Sequence, residues 1–373
     1  MNTESLLRRF RDPQLARQLV TEIHALARSP MTFMEFCGGH THAIMQFGIR
    51  QLMPPTVRLL SGPGCPVCVT SQADIDQAIA LAQLPDVILT TFGDMVRVPG
   101  TQNTLQEAAA HGADVRIVYS PLDAVRLAQD HPQRQVVFLG VGFETTAPGV
   151  AASILQAEAL GLENYAVFSM HKYTPPAMRA ILDMGEIRLN GVIGPGHVST
   201  IIGSDAWSFL PEDYGIPVVV SGFEPVDILL TIRELVAQVA RGEAKVVNAY
   251  GRAVLPQGNR AALDIMNRVF HVADADWRGF GVLPASGMAI RPEYRPFDAA
   301  HRFTLPEIPS REPPGCRCGD VLRGVIEPPE CPLFGKVCTP DTPKGPCMVS
   351  DEGACSAHYL YRSVEIAEPA SNS

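Results

Sequence analysis

Nine cysteines lie in two groups at opposite ends of the 373-residue chain. Cys37, Cys65 and Cys68 stand near the start; Cys316, Cys318, Cys331, Cys338, Cys347 and Cys355 stand near the end. In Cys37-Gly38-Gly39-His40-Thr41-His42, a thiol and two imidazoles are packed around a pair of glycines. Thiolate and imidazole are ligands of choice for iron, zinc and copper. The glycines allow a tight turn, so Cys37 and His40 can point to one place. The same string also reads as a glycine turn with solvated histidines. In Gly62-Pro63-Gly64-Cys65-Pro66-Val67-Cys68, a C-x-x-C pair sits in a stiff loop. Such a pair closes a disulfide or grips a metal. Both readings stand: a redox dithiol, or half of a zinc site completed by Cys37 and His40.

The third motif is C-x6-C-x8-C-x7-C, formed by Cys331, Cys338, Cys347 and Cys355. Four thiolates so close in sequence suit tetrahedral zinc or a [4Fe–4S] cluster. Structural zinc sites favour close C-x2-C pairs, so the wide, proline-broken spacing favours the larger cluster. Cys316 and Cys318 are two further candidates from the neighbouring Gly-Cys-Arg-Cys-Gly-Asp string.

Grouped thiols of odd number are a poor disulfide framework and a better metal or redox set. The formal net charge of −9 disfavours nucleic acid, which asks for a basic face. No run of eighteen apolar residues is present, so no membrane span is expected. The first residues lack an apolar signal core, and the expectation is a soluble, cytoplasmic protein. No G-x-x-x-x-G-K-[ST] loop occurs, which disfavours a P-loop ATPase.

The elements that must position these motifs follow from patterning. Asp12, Pro13 and the apolar stripe Leu15, Leu19, Ile23 and Leu26 predict a helix over 12–28. Apolar runs at 86–94, 115–120, 136–144, 165–172, 191–197 and 216–224 alternate with helical stretches. They predict buried parallel strands of an α/β protein. Two strings, residues 142–144 and 222–224, repeat Gly-Phe-Glu after a strand and before a helix, as a duplication would. Thr90, Thr91, Asp94, Glu144, Thr145, His171, Lys172, His197 and Glu224 fall at strand ends. Ligands of open parallel sheets bind beyond the carboxyl ends, so this set is expected to face one cleft. Residues 291–315 are proline-rich and read as a linker or extended wrap, followed by the second cysteine group and a frayed tail.

Taken together, CGGHTHAI, GPGCPVCVT, GFETTAP, GPGHVSTIIG and the 331–355 cysteine string resemble the HypD family of [NiFe]-hydrogenase maturation factors. The resemblance covers nearly the whole chain, in order. It implies two Rossmann-like α/β domains and a C-terminal domain carrying a [4Fe–4S] cluster, expected at 1–148, 149–250 and 251–373. It implies a scaffold with redox activity, rather than a turnover enzyme, that assembles the Fe(CN)2CO unit of the hydrogenase. The partners it implies are HypC, HypE as cyanide donor, and the hydrogenase large subunit as recipient. Carried onto this chain, Cys37 binds the iron being assembled, with His40 as a neighbouring ligand. Cys65 and Cys68 form the redox dithiol, and Cys331, Cys338, Cys347 and Cys355 hold the cluster. The residues alone leave two competitors. One is an iron–sulfur thiol–disulfide reductase acting on another protein, in which Cys37 has no role. The other is a zinc-stabilised interaction module.

Overall fold

The computed structural model describes residues 9–306 and 308–362. The expected tail from Glu365 onward lies outside the described residues. All six sequence-predicted strands form. They are β3 (Val87–Thr91), β4 (Asp114–Ile117), β5 (Gln135–Gly140), β6 (Tyr165–Ser169), β7 (Gly191–Gly194) and β8 (Val218–Val220). Three more parallel strands join them: β1 (Met31–Glu35), β2 (Val57–Ser61) and β9 (Val246–Asn248). The predicted first helix runs Pro13–Leu26, with the Asp12 side chain accepting from the amides of Gln14 and Leu15.

The strands make two all-parallel sheets, ordered β2-β1-β7-β8-β9 and β4-β3-β5-β6. The first begins at β1 and β2 and resumes only at β7, so the second is inserted within it. The expected boundary at 148/149 therefore does not follow the sheets: β6 pairs with β5, while β1 pairs with β7. A division by consecutive strands misses this because the β1–β7 pairing, Phe33 against Gly191, spans the whole insertion. Both sheets share one order when their strands are counted from the first (2-1-3-4). The two Gly-Phe-Glu strings, however, follow β5 and β8, the third strand of one sheet and the fourth of the other.

Both sheets are covered on both faces, which explains their near-continuous apolar runs. Alternate residues of each strand supply opposite cores. In β3 and β5, Ile88, Val136 and Phe138 pack under helices Ala147–Ala159 and Arg260–Val269. Val87, Leu89, Val137 and Leu139 face the other way. In β8, Val219 packs toward helices Pro13–Leu26 and Pro225–Arg241, while Val218 and Val220 turn from them. The inner residues of both sheets share one continuous core with Cys65, Cys68, Cys318, Cys338, Cys347 and Cys355.

The expected start of a third domain at 251 is also displaced. Helix Arg260–Val269 and the antiparallel hairpin β10 (Phe270–Trp277) and β11 (Gly281–Ile290) pack on the four-stranded sheet. Part of the expected linker does so as well. Tyr294, Phe297 and Ala299 are buried, and Arg302 donates to the Tyr165 carbonyl of β6. Their aromatic side chains, spaced by prolines, dock against an edge strand without helical or strand periodicity to announce it. The cysteine-bearing segment from Cys316 to Leu360 contains only short helices, Cys318–Leu322 and Ala354–Leu360 among them. Among the described residues, no helix is long and apolar enough to cross a membrane.

A thiol cleft at the switch point of the larger sheet

In the order β2-β1-β7, the connections leave β1 and β7 in opposite directions, which opens a crevice beyond their carboxyl ends. Cys37 follows β1 and His197 follows β7, so the topology brings these two residues together across 160 positions of sequence. Cys37 Sγ lies 3.7 Å from His197 Nδ1. The thiol is 6% exposed but His197 is exposed, so the sulfur has an imidazole, not hydrocarbon, between it and solvent. Gly39 leaves its Cβ space to the rings of Phe223 and His197.

Cys37 is the N-cap of helix Gly38–Gln46. Its backbone N–H donates to buried Glu35 at 2.8 Å, and the Thr41 hydroxyl donates to the same carboxylate. Burial pushes the Glu35 carboxyl up to about 7. Burial, with the negative charges of Glu352 and Glu35, pushes the Cys37 thiol up to about 12. A cation binding this sulfur must therefore displace a proton.

His40 has a different position from the one its spacing suggests. It is fully buried, and its Nε2 donates to the carbonyls of Ser221 and Gly222 at 3.2 and 3.0 Å. That fixes the tautomer and leaves Nδ1 as a buried acceptor without a hydrogen-bond partner. Burial pulls its pKa down to about 4. Phe223 is stacked between His40 and His197, with ring centroids 4.5 and 3.9 Å away. His42 turns elsewhere and meets the Tyr361 hydroxyl at 2.9 Å.

Cys65 and Cys68 are paired as a disulfide across one turn, Cα to Cα 5.2 Å, and both are buried. Pro66 starts the short helix Pro66–Val69, so the sequence-stiffened loop places both thiols on one turn. Gly64 lies against the Cys37 backbone: a Cβ there would stand 2.6 Å from Cys37 Cα. The Gly38 amide donates to the Gly64 carbonyl at 2.9 Å. The two motifs are thus one assembly.

The C-terminal segment closes the cleft from the other side. Helix Ala354–Leu360 packs on helix Gly38–Gln46, and Glu352 fills the space that a Gly38 side chain would need. The Ser350 hydroxyl donates to Asp94, which follows β3, at 2.8 Å. All six C-terminal cysteines line one pocket, with Val321, Leu333, Phe334 and Met348 as apolar wall. Cys316 and Cys318, absent from the expected quartet, are as much part of it as the four that were expected. The Lys344 amide donates to Cys338 Sγ at 3.3 Å, and the missing side chain of Gly345 leaves room for Cys316 Sγ. Among the described residues no three His, Cys, Asp or Glu side chains close on a single-ion site. Six soft donors in an apolar pocket suit a multi-iron group better than one zinc ion.

Within the pocket, Cys318 and Cys347 touch, Sγ to Sγ 2.7 Å. The contact with Cys347, and next the Arg278 guanidinium, draw the Cys318 thiol down against its burial; contacts with Cys318 and Cys355 hold the Cys347 thiol up. The disulfide turn Pro66–Val69 packs against both Cys318–Leu322 and Pro346–Met348. The Cys318–Cys347 pair therefore lies at the side of the pocket nearest Cys65 and Cys68.

Other strand-end residues do not join this cleft. Glu144 is wholly buried and accepts from the amide and hydroxyl of Thr174, the first residue of helix Thr174–Met184. Lys172 is buried against Asp74 at 3.6 Å, and His171 is buried beside Ser169. Thr90 donates to the Val137 carbonyl, and Glu224 pairs with Arg11. Of the expected set, Asp94 and His197 reach the cleft. Thr90, Glu144, His171 and Lys172 lie in or after strands of the four-stranded sheet, which has its own switch point between β3 and β5; Asp94 of that sheet is reached through Ser350, and Glu224 of the larger sheet is taken by Arg11. Phe223 and Glu352 complete the cleft, and neither stands in a motif with chemistry of its own.

A family model described as "HypD: Hydrogenase formation hypA family" matches residues 14–362. The chain is 50% identical over 361 residues to a hydrogenase maturation factor HypD of Azotobacter vinelandii, covering 94% of this chain and 95% of that one. It is 48% identical to HypD2 of Bradyrhizobium diazoefficiens, covering 94% and 95%. With HypD of Escherichia coli it shares 45% identity, covering 95% and 98%.

Proposed function

The chain belongs to the HypD family of hydrogenase maturation factors, and on that premise we propose that it holds iron at Cys37 while the Fe(CN)2CO unit is assembled. What supports the reading is the meeting of the Cys37 turn, the Cys65–Cys68 pair and the cysteine pocket in one contiguous region.

The iron is cargo. Cys37 supplies a thiolate after losing its proton, and His197, at 3.7 Å, is placed to take that proton or to share the metal. The separation is short enough for one cation to be held by both atoms. His40 holds Phe223, and through it His197, in place. HypC docks at this cleft and contributes a further thiolate, as the family resemblance implies.

Cyanide arrives from HypE as a thiocyanate. Its release is a two-electron reduction: R–S–CN and two thiols give R–SH, cyanide, one disulfide and one proton. Cys65 and Cys68 supply those electrons and become the disulfide. Returning them to thiols takes two electrons and two protons. A [4Fe–4S] cluster in the cysteine pocket supplies electrons one at a time when bound. Because Cys318 and Cys347 contact one another on the side facing Cys68, Cys316, Cys331, Cys338 and Cys355 are left as its ligands, with Cys316 in place of Cys347. The Cys318–Cys347 dithiol then stands between pocket and Cys65–Cys68.

The reductase alternative gives Cys37 no role, whereas the fold seats Cys37 beside His197 and against Gly64 of the C-x-x-C loop. Infrared spectroscopy of the chain co-purified with HypC and HypE tests the proposal. Bands of iron-bound cyanide and carbonyl are expected, and Cys37→Ala should abolish them while leaving thiol exchange intact. Bands that persist unchanged in Cys37→Ala would falsify the assignment.

A further inference from the structure

The tip of the β10–β11 hairpin belongs to no motif, yet it touches both thiol-bearing turns. Trp277 forms a bridge to Thr70, and the Arg278 amide donates to the Val69 carbonyl at 2.9 Å; these are the first residues after Cys68. On the other side, Gly279 lies against Gly319, the residue after Cys318: a Cβ on Gly279 would stand 2.5 Å from Gly319 Cα. The Gly279 carbonyl accepts from Arg323 at 2.6 Å, just beyond the Cys318–Leu322 helix.

Between the two contacts, the Arg278 side chain is fully buried. Its Nε donates to the Thr70 carbonyl at 3.1 Å, and both terminal nitrogens donate to Gln72 Oε1 at 3.2 Å. Nη1 also pairs with Glu312 at 2.5 Å. A buried guanidinium is costly unless its planar fork is satisfied, and this one is satisfied by the Cys68 turn and the loop leading into Cys316.

We infer that Arg278 is a positioning residue: its side chain ties the Cys65–Cys68 turn to the loop entering Cys316, which keeps the hairpin tip at Gly279 seated against the Cys318 helix so that a disulfide can pass between the two thiol pairs. The inference rests on the relay reading above. The exchange is balanced within the chain. A Cys318 thiolate attacks one sulfur of the Cys65–Cys68 disulfide, and the other leaves as a thiolate and takes up the proton that Cys318 lost. Cys347 then attacks Cys318 in the mixed disulfide, and its proton passes to the second departing sulfur. The products are one dithiol at Cys65–Cys68 and one disulfide at Cys318–Cys347, with no outside oxidant or reductant. In-line attack on a disulfide tolerates little misplacement, which is why a clamp matters.

The test uses the full-length protein, held without oxygen and brought to one disulfide per chain. Acid quenching, differential alkylation and peptide mass mapping then report which pair carries it over time. In the parent protein the disulfide should distribute between the two pairs. Arg278→Gln should slow that redistribution by about tenfold or more, given the sensitivity of such steps to small displacements. Reduction of Cys65–Cys68 by added dithiothreitol should instead quicken, because the turn is freed. Arg278→Lys keeps the charge but cannot span Thr70, Gln72 and Glu312, and should resemble Arg278→Gln. Glu312→Gln, at a half-exposed site, should slow redistribution less and in the same direction, and serves if Arg278 variants do not fold. Parent-like redistribution in Arg278→Gln, full rescue by Arg278→Lys, or no effect of Glu312→Gln where it alone folds overturns the clamp. No redistribution in the parent protein overturns the relay, and the clamp with it.

Discussion

At the scale of single residues, one buried carboxylate carries the clearest pH signature. Glu144 is wholly buried, and burial lifts its carboxyl from 4.5 to about 7, opposed by hydrogen bonds including those from Thr174. A folded-state value above the unfolded one means the folded protein holds its proton more tightly. Its stabilising effect is complete below about 4.5 and is lost as pH rises through about 7. Glu144→Gln, which cannot ionise, should therefore unfold at higher denaturant than the parent at pH 8, by on the order of 2–3 kcal/mol. At pH 4.5 the two should nearly coincide. Urea titrations at both values check this, and an equal offset at both would remove the linkage. Residue types and spacing singled out Cys37, Cys65 and Cys68, which the fold gathers into one region. They were a poor guide at His40 and His197, since spacing reports neighbours in sequence and these imidazoles are sorted by a pairing of β1 with β7. Phe223, in one Gly-Phe-Glu string, and Glu352, among the C-terminal cysteines, gave no sign of a place in the cleft, because their importance lies in which neighbours they press against.

At the scale of elements, close approach of backbones decides whether the motifs cohere. Gly64 touches Cys37, and Gly38 touches Glu352. Gly64→Ala would force the C-x-x-C loop away from the β1 turn. Overpacking of this kind costs roughly 1–3 kcal/mol, or more where backbone must move. The expected outcome is a lower melting temperature together with loss of iron–cyanide bands in HypC-bound protein, read by calorimetry and infrared. A variant with parent-like bands would show that the two turns work independently. Five of the six predicted strands were legible because both faces are buried, giving Val- and Ile-rich runs; β4, a half-exposed edge strand, showed through the apolar residues that follow its start. Strands β1 and β2 were not, since Met31–Glu35 and Val57–Ser61 mix charged residues into short runs flanked by motif residues. The hairpin was missed for a similar reason: its outward residues, Val272 and Val282 among them, break the polar–apolar alternation of a half-buried strand.

At the scale of the whole molecule, one core joins both sheets to the cysteine pocket. If the pocket holds a metal cluster, stripping it by chelation under oxidant should loosen more than the pocket itself. Hydrogen exchange should speed up at 316–360, and also in helices Gly38–Gln46 and Pro66–Val69, which the C-terminal segment packs against. Strands β3, β5 and β6 should keep their protection. A response confined to 316–360 would argue that the cleft is built without the cluster. The order of domains was the least legible property, because nothing local in the sequence says that β1 waits for β7.

That wait has a consequence during synthesis. A ribosome adding about 5–20 residues per second needs roughly 6 to 26 seconds to travel from β2 to β7. Through that interval the nascent Cys37 turn has no His197 beside it and no Phe223 behind it. The inserted sheet can fold on its own schedule while the cleft around Cys37 stays unbuilt, so its thiol meets none of its folded neighbours until translation is well advanced.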